Sequence, residues 1–193
     1  TRGCKFCNVK TAKRPSALDP LEPANVAKSL EDMNLTYVVI TTVDRDDLED
    51  QGAAHFANII RAVKEANPLL RIETLAGDFQ GREDLQKVLL DSSGIDVFAH
   101  NIETVERLTK DVRDRRATYR QSLEVLASAK KIKPGIVSKT SIMLGLGESE
   151  EEILETMDDL VAVGIQIMTL GQYLQPTKKH LEESTAHASL SED

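Results

Sequence analysis

The sequence predicts an α/β fold in which parallel strands alternate with helices and curl into a partial barrel. Five short, β-branched runs are separated by four helical crossovers, and this regular order is typical of a parallel sheet with right-handed connections. Polar residues that are unusual for such runs follow the ends of several strands, at the edge where barrels and open α/β sheets place ligands. That distribution favours a curled partial barrel over a closed barrel or an open sheet.

Apolar periodicity locates the individual elements. Strands are predicted at residues 35–42, 70–75, 95–99, 136–144 and 165–170, and helices around residues 26–33, 53–63, 85–89, 105–109, 119–130 and 149–161. Residues 35–42 are apolar nearly throughout, which predicts a strand buried on both faces. Ser149 and Glu152 form a capping box at the start of the last helix, whose inward face includes Val161 and which Gly164 ends.

Composition limits the classes of function. The chain has 193 residues, of which 40% are hydrophobic and 29% charged, enough for one good core. We expect one domain over residues 1–180 and a polar, loosely ordered tail over residues 181–193. The formal net charge of −8 argues against a nucleic-acid partner. No apolar run approaches the roughly 20 residues that span a bilayer, so no membrane association is expected.

The two cysteines of the chain, Cys4 and Cys7, form a C-x2-C pair near its start. Such a pair can serve zinc, an iron–sulfur cluster or disulfide exchange, or it can be two unpaired thiols in a frayed terminus. Zinc requires further ligands, and the four histidines are scattered. A thioredoxin-like site favours a strand-to-helix turn, whereas Pro15 and Pro20 delay the first helix here. The pair also indicates a reducing compartment.

Polar residues after the strands have alternative interpretations. The acidic residues at positions 44–47 could form a solvated loop or a hard-cation site. Asn101 and Glu103 alternate along an extended segment, which suits two hydrogen bonds to a diol, but they could also cap a helix. The segment from Gly145 to Gly147 could be a phosphate loop, although Glu148 would repel phosphate.

Two basic features also have a simple and a functional interpretation. Lys139 lies inside an otherwise apolar strand and needs an anionic partner if it is buried. Arg113, Arg115 and Arg116 form a basic run around Asp114. Most such runs are solvated faces, and contact with a substrate or carrier is the functional alternative.

The first seven residues, TRGCKFC, resemble the last seven positions of the C-x3-C-x2-C loop of radical S-adenosylmethionine (SAM) enzymes. The resemblance places the first cysteine of that loop immediately before Thr1. It implies that Cys4 and Cys7 are two of three ligands to a 4Fe–4S cluster, whose fourth iron chelates SAM. Phe6 matches the aromatic residue of the family at that position.

Longer motifs are similar to those of lipoyl synthases within this superfamily. They are YVVITTVDRDDL at 37–48, AHNIET at 99–104, SKTSIMLGLGE at 138–148 and TLGQYLQP at 169–176. The cofactor-binding residues implied by the resemblance are Phe6, Thr41, Thr42, Asp44, Asn101, Glu103, Lys139, Ser141, Gly145, Gln172 and Tyr173. Lys139 would pair with the carboxylate of SAM, and Gly145 would let the backbone approach the cofactor. On the functional interpretation of the basic run, Arg113 and Arg116 are the candidate substrate contacts.

The resemblance implies a specific reaction. A radical derived from SAM would abstract hydrogen from an octanoyl chain attached to a lysine of a carrier protein, and two sulfur atoms would then be inserted to form the lipoyl group. The implied electron donor is a ferredoxin or flavodoxin, and the implied location is the bacterial cytoplasm, a mitochondrion or a plastid. A second, auxiliary 4Fe–4S cluster is expected only in a full-length protein.

Several family features are absent from the sequence. They are the cysteine set of the auxiliary cluster, a C-terminal Arg-Ser-Ser-Tyr element and the first strand of the barrel, and beyond His180 the sequence departs from the family. We therefore expect the chain alone to be impaired in cluster binding and unable to insert sulfur. A non-catalytic remnant or interaction module, or a different radical SAM enzyme, are the alternative hypotheses.

Overall fold

The computed structural model describes residues 1–92 and 94–184. Five parallel strands form one curved sheet in the order β1-β2-β3-β4-β5. The strands are β1 (Tyr37–Thr41), β2 (Arg71–Leu75), β3 (Val97–Ala99), β4 (Val137–Leu144) and β5 (Ile167–Gln172). The predicted partial barrel is confirmed, because the five strands make a half-barrel with sequential neighbours.

Helices connect each strand to the next. They are α1 (Glu22–Met33), α2 (Ala53–Ala66), α3 (Glu83–Leu90), α4 (Glu106–Val112), α5 (Tyr119–Ile132) and α6 (Glu150–Ala162), with a short 3-10 helix at Phe79–Gly81. The predicted capping box is present at the start of α6, where Ser149 and Glu152 bond reciprocally to each other's backbone. Among the described residues, no helix is long and apolar enough to cross a bilayer.

The core lies between the helices and the outer face of the sheet. Ile72, Phe98 and Ile142 point outward from three successive strands and are almost fully buried with Ile60 of α2 and Leu126 of α5. Since side chains alternate along a strand, the neighbouring positions face the concave side.

One row of paired residues crosses the concave face of the sheet. It runs from Thr41 through Leu75, Ala99 and Lys139 to Ile167. The concave face therefore carries polar as well as apolar side chains, and it opens toward the carboxyl ends of the strands.

Strand β1 is not buried on both faces, contrary to the prediction. Tyr37 and Val39 are 44% and 43% exposed, whereas Val38 and Ile40 are partly buried. The reason is that β1 is an edge strand, so helices cover its outer face while its concave face has no opposite wall among the described residues. A continuous apolar run cannot distinguish an edge strand from a central one.

The last strand begins later than predicted, at Ile167. The backbone N–H of Ile165 donates to the Leu160 carbonyl, 3.0 Å away, and so completes the end of α6 before the strand can start. Val161, predicted to face inward, is 73% exposed. Of the predicted tail, residues 181–184 are described and residues 185–193 lie outside the described part of the chain. The boundary at residue 180 and the loose order of the tail stay predictions.

Candidate functional site

A cavity of about 430 Å³ lies between the cysteine loop and the carboxyl ends of β1, β2 and β3. The predicted site residues that line it are Cys4, Phe6, Cys7, Thr41, Thr42, Asp44, Asn101, Glu103 and Arg113. They come from four separate segments of the chain, and the parallel sheet brings two of them, after β1 and after β3, to one edge. The structure thus assembles most of the predicted residues around one space.

Arg2 fixes the cysteine loop to the sheet. Its side chain is buried, and its guanidinium donates to Asp46 Oδ1 at 2.9 Å and to both carboxylate oxygens of Asp78 at 2.6 and 2.7 Å. Asp46 follows β1 and Asp78 follows β2, so one side chain joins the loop to two strand ends. This contact is not evident from the sequence, because a buried arginine is recognisable only when its two carboxylate partners are known to converge.

The acidic residues after β1 form ion pairs with arginine side chains. Burial opposes ionisation of Asp46 and Asp78, but hydrogen bonds from Arg2 outweigh it and hold the pKa of both carboxyls below the ordinary range. Asp47 pairs with Arg45. Among the described residues, no three histidine, cysteine or acidic side chains are placed to hold a metal ion. Arg2 and Arg45 thus already bind Asp46 and Asp47, two of the three carboxylates that the hard-cation interpretation requires.

The connection between α4 and α5 holds the other side of the loop. Asp114 Oδ2 accepts from the Gly3 backbone at 2.9 Å, and the Lys5 backbone donates to the Val112 carbonyl at 2.8 Å. Arg116 donates to the Thr1 carbonyl at 3.1 Å and pairs with Asp114. Arg116 supports the loop and does not line the cavity, so its substrate contact stays a prediction.

The two thiols have different surroundings. Cys4 Sγ accepts a hydrogen bond from the Asp114 backbone N–H at 3.2 Å, whereas Cys7 is exposed. Burial raises the pKa of the Cys4 thiol, and the Asp114 N–H and the positive charge of Arg113 act in the opposite direction. Soft thiol donors that face a shared cavity, one of them hydrogen-bonded at sulfur, are suited to an iron–sulfur cluster.

Arg113 is buried beside the cavity, and one of its donor atoms has no hydrogen-bond partner among the described residues. Its guanidinium donates to the Ile102 carbonyl at 3.3 Å and to Ser122 Oγ at 2.7 Å, and that hydroxyl lies 2.9 Å from His100 Nε2. The carbonyl of Ala76 can only accept, so His100 donates from Nδ1 and receives the Ser122 proton at Nε2. Buried Arg113 Nε has no hydrogen-bond partner among the described residues. A buried donor without a partner is unusual, and it marks Arg113 as a residue whose side chain is not fully satisfied by its protein contacts.

Glu103 has an unusual backbone and an unusual carboxyl. Its φ of 71° is rare for a residue with a side chain, and bonds to the Ser141 carbonyl and the Met143 N–H hold it there. Burial raises the pKa of the Glu103 carboxyl to about 7, against the opposing effects of Arg113 and Asn101. The prediction of an extended backbone is therefore wrong at Glu103. The capping alternative is not seen either, since α4 begins after Val105 without a side-chain cap.

A second group of predicted residues meets at the ends of β4 and β5, apart from the cysteine cavity. Gly145 has a φ of 100°, and a Cβ added there would lie 2.6 Å from Gln172 Nε2. Tyr173 is buried and its hydroxyl donates to the Leu181 carbonyl at 2.9 Å. The Glu148 carboxylate accepts from the backbone of Gly145 and Leu146 at 2.5 and 2.9 Å, which satisfies the amides that a phosphate would need. The phosphate-loop interpretation is therefore excluded at this turn.

Lys139 already has an anionic partner within the protein. Its ammonium lies 2.9 Å from Glu73 Oε1 on the concave face, and the Tyr37 hydroxyl donates to Glu73 Oε2 at 2.5 Å. The prediction that Lys139 needs an anion is met by Glu73, so burial no longer requires a cofactor carboxylate there. Ser141, on the same face, donates to the Thr169 carbonyl at 3.2 Å. The cofactor contacts of Lys139 and Ser141 stay predictions.

Comparison with known proteins gives a consistent picture. Residues 1–160 match the profile of the radical SAM superfamily. Over 94% of the chain, the sequence is 57% identical to mitochondrial lipoyl synthase of Kluyveromyces lactis, 58% to that of Aedes aegypti and 56% to that of Schizosaccharomyces pombe. The chain spans about half the length of these curated relatives, between 46% and 49%.

Solved structures share the fold at low sequence identity. A methylornithine synthase superimposes with a TM-score of 0.77 over 98% of the chain and 55% of its own length, at 16% identity. The FeFe-hydrogenase maturase HydG from Carboxydothermus hydrogenoformans gives 0.73 over 95% of the chain and 44% of its own length, at 15% identity. At such identities the similarity extends to the half-barrel alone.

Proposed function

The chain belongs to the radical SAM superfamily, and from that membership we propose that it is the cofactor-binding half-barrel of a lipoyl synthase. The proposed activity of the whole protein is the insertion of two sulfur atoms into an octanoyl chain carried by a protein. The high identity to lipoyl synthases supports this choice within the superfamily. By analogy with those relatives we propose a mitochondrial location.

Cys4 and Cys7 are the proposed thiolate ligands of a 4Fe–4S cluster in the cavity. The proposed SAM contacts there are Phe6, Thr41, Thr42, Asp44, Asn101 and Glu103, which line the cavity with the thiols. When bound, the cluster and SAM supply an electron and an organic radical able to attack an unactivated C–H bond, which polar side chains cannot do.

The residues of the chain have the task of binding and orientation. The Arg2 contacts hold the thiols at a fixed place relative to the strand ends before any ligand arrives. Ionised Glu103 and the amide of Asn101 can accept and donate hydrogen bonds to the two hydroxyls of a ribose. Arg113 places a positive charge at the cavity, and its hydrogen bond to Ser122 keeps the side chain in place.

One observation supports the proposal above the others, namely the convergence on one cavity of the two thiols and the polar segments that follow β1, β2 and β3. The matching experiment uses the whole protein, reconstituted anaerobically with iron and sulfide and given SAM, a reductant and an octanoylated carrier domain. Mass spectrometry of the carrier is expected to show addition of two sulfur atoms, and Cys4→Ser is expected to abolish it.

Other outcomes separate the alternatives. Cleavage of SAM without a thiolated carrier would favour a different radical enzyme. Absence of cleavage, with the fold intact, would favour a non-catalytic interaction module. The proposed partners are the octanoylated carrier and a small electron-transfer protein such as a ferredoxin or flavodoxin.

A further inference from the structure

The segment from Lys5 to Arg14 concentrates positive charge beside the cavity, which Lys10 helps to line. It contains four basic residues and no acidic one, in a chain whose formal net charge is −8. The first acidic residue of the chain is Asp19. A cluster of one sign against an opposite overall charge creates a local potential that attracts anionic groups.

The basic side chains of this segment are available to a partner. Lys5, Lys10, Lys13 and Arg14 are all exposed, and none of them forms an ion pair within residues 1–92 and 94–184. By contrast, Arg45, further along the same rim, pairs with the neighbouring Asp47. Solvated, unpaired cations lose little hydration energy when they meet an exposed carboxylate, so they favour docking to an acidic surface.

The segment is also fixed in place and forms part of the cavity wall. Val9, Lys10 and Thr11 line the cavity, and Val9 is 55% exposed. Thr11 Oγ1 donates to the Arg2 carbonyl at 2.8 Å, and His180 Nε2 lies 3.2 Å from the Cys7 carbonyl. The charges are therefore presented by a loop that the buried Arg2 contacts already hold, and this reduces the entropy lost on binding.

We propose that residues 5–14 are the docking surface for an acidic face of the carrier domain. This inference rests on the proposed function, in which an octanoyl chain on a carrier lysine must enter the cavity. The protein surface around that lysine then has to lie against the rim of the cavity, and the exposed charged residues within residues 5–14 are all basic. The complementary surface of the carrier is accordingly rich in aspartate and glutamate.

The test measures binding of an octanoylated carrier domain to the chain by titration calorimetry at low and moderate salt. The double variant Lys13→Glu with Arg14→Glu is expected to raise Kd by about tenfold at low salt, as two exposed ion pairs are replaced by repulsions. Neither residue lines the cavity. The matched control, Lys87→Glu with Lys131→Glu, makes the same charge change on exposed positions of α3 and α5 and is expected to leave Kd unchanged.

The outcomes separate this inference from the proposed function. Equal loss of binding in both variants, or none in either, would overturn the docking surface while leaving the carrier as substrate. Failure of the unmodified chain to bind the carrier at any salt would overturn the docking surface and count against a carrier substrate. Salt-dependent binding of a nucleic-acid duplex, lost in the rim variant and without carrier binding, would assign the charges to a different partner. Circular dichroism and melting temperature verify that both variants fold.

Discussion

Replacing Glu103 by glutamine is expected to stabilise the fold at alkaline pH and to have little effect in acid. Burial raises the pKa of this carboxyl from its ordinary value of 4.5 to about 7. Between these two values the unfolded chain has lost the proton and the folded chain retains it. Stability contributed by the protonated form is therefore complete below pH 4.5 and is lost as the pH rises through 7.

The magnitude follows from the size of the pKa change. A pKa of about 7 in the folded chain against 4.5 in the unfolded chain corresponds to at most about 3 kcal/mol of unfolding free energy. Glu103 keeps partial contact with solvent, so the measured value should fall below this limit. Glutamine keeps the shape and removes the charge, so it should recover most of the lost stability.

Urea unfolding at pH 5 and pH 8 measures the effect as a difference between the variant and the unmodified chain. Other titrating groups cancel in that difference as long as they do not interact with Glu103. Glu124→Gln, at an exposed position of α5, is the matched control and is expected to show the same difference at both pH values. A Glu103→Gln variant that is no more stable than the unmodified chain at pH 8 would refute the reasoning.

Three further substitutions test the contacts that shape the site. Arg2→Ala leaves buried Asp78 without its cation and Asp46 with Arg116 alone, 3.5 Å away. We expect a loss of about 3 kcal/mol of unfolding free energy in urea, with faster proteolysis of the cysteine loop. Unchanged proteolysis would contradict the role of Arg2. In Gly145→Ala the new Cβ would lie 2.6 Å from Gln172 Nε2, on a backbone with a φ of 100°. We expect this variant to lose about 1–3 kcal/mol of unfolding free energy. Gly171→Ala, which has open space around it, should lose less than half as much. Ser149→Ala removes the capping box of α6 and should lower stability by about 1 kcal/mol, a change that an unaltered melting temperature would disprove.

The order and type of the elements were predictable from the sequence because local patterns determine them. The crossover helices carry clear apolar stripes, and the Ser149 capping box lies where the pattern predicts it. Burial of β1 was not predictable in this way. Its apolar run resembles a central strand, and only the strand order shows that it lies at an edge with Tyr37 and Val39 exposed.

The part of the candidate site that follows the strands was predictable from the sequence, because the carboxyl ends of parallel strands lie at one edge of the sheet. Cys4, Asp44, Asn101 and Glu103 meet at one cavity because parallel strands bring their carboxyl ends to one edge. Long-range pairings could not be predicted, since nothing local marks them. The partner of Lys139 is Glu73, two strands away in the sheet, and the partners of Arg2 are carboxylates 44 and 76 positions along the chain.

The central claim is that Cys4 and Cys7 face a cavity built to hold an iron–sulfur cluster together with SAM. The most direct measurement uses the chain with one cysteine added before Thr1, reconstituted anaerobically with iron and sulfide and incubated with SAM and a reductant. We expect the visible absorbance of an iron–sulfur cluster and the formation of 5′-deoxyadenosine, both lost in Cys4→Ser and Cys7→Ser. A folded protein that shows neither the absorbance nor 5′-deoxyadenosine would contradict it.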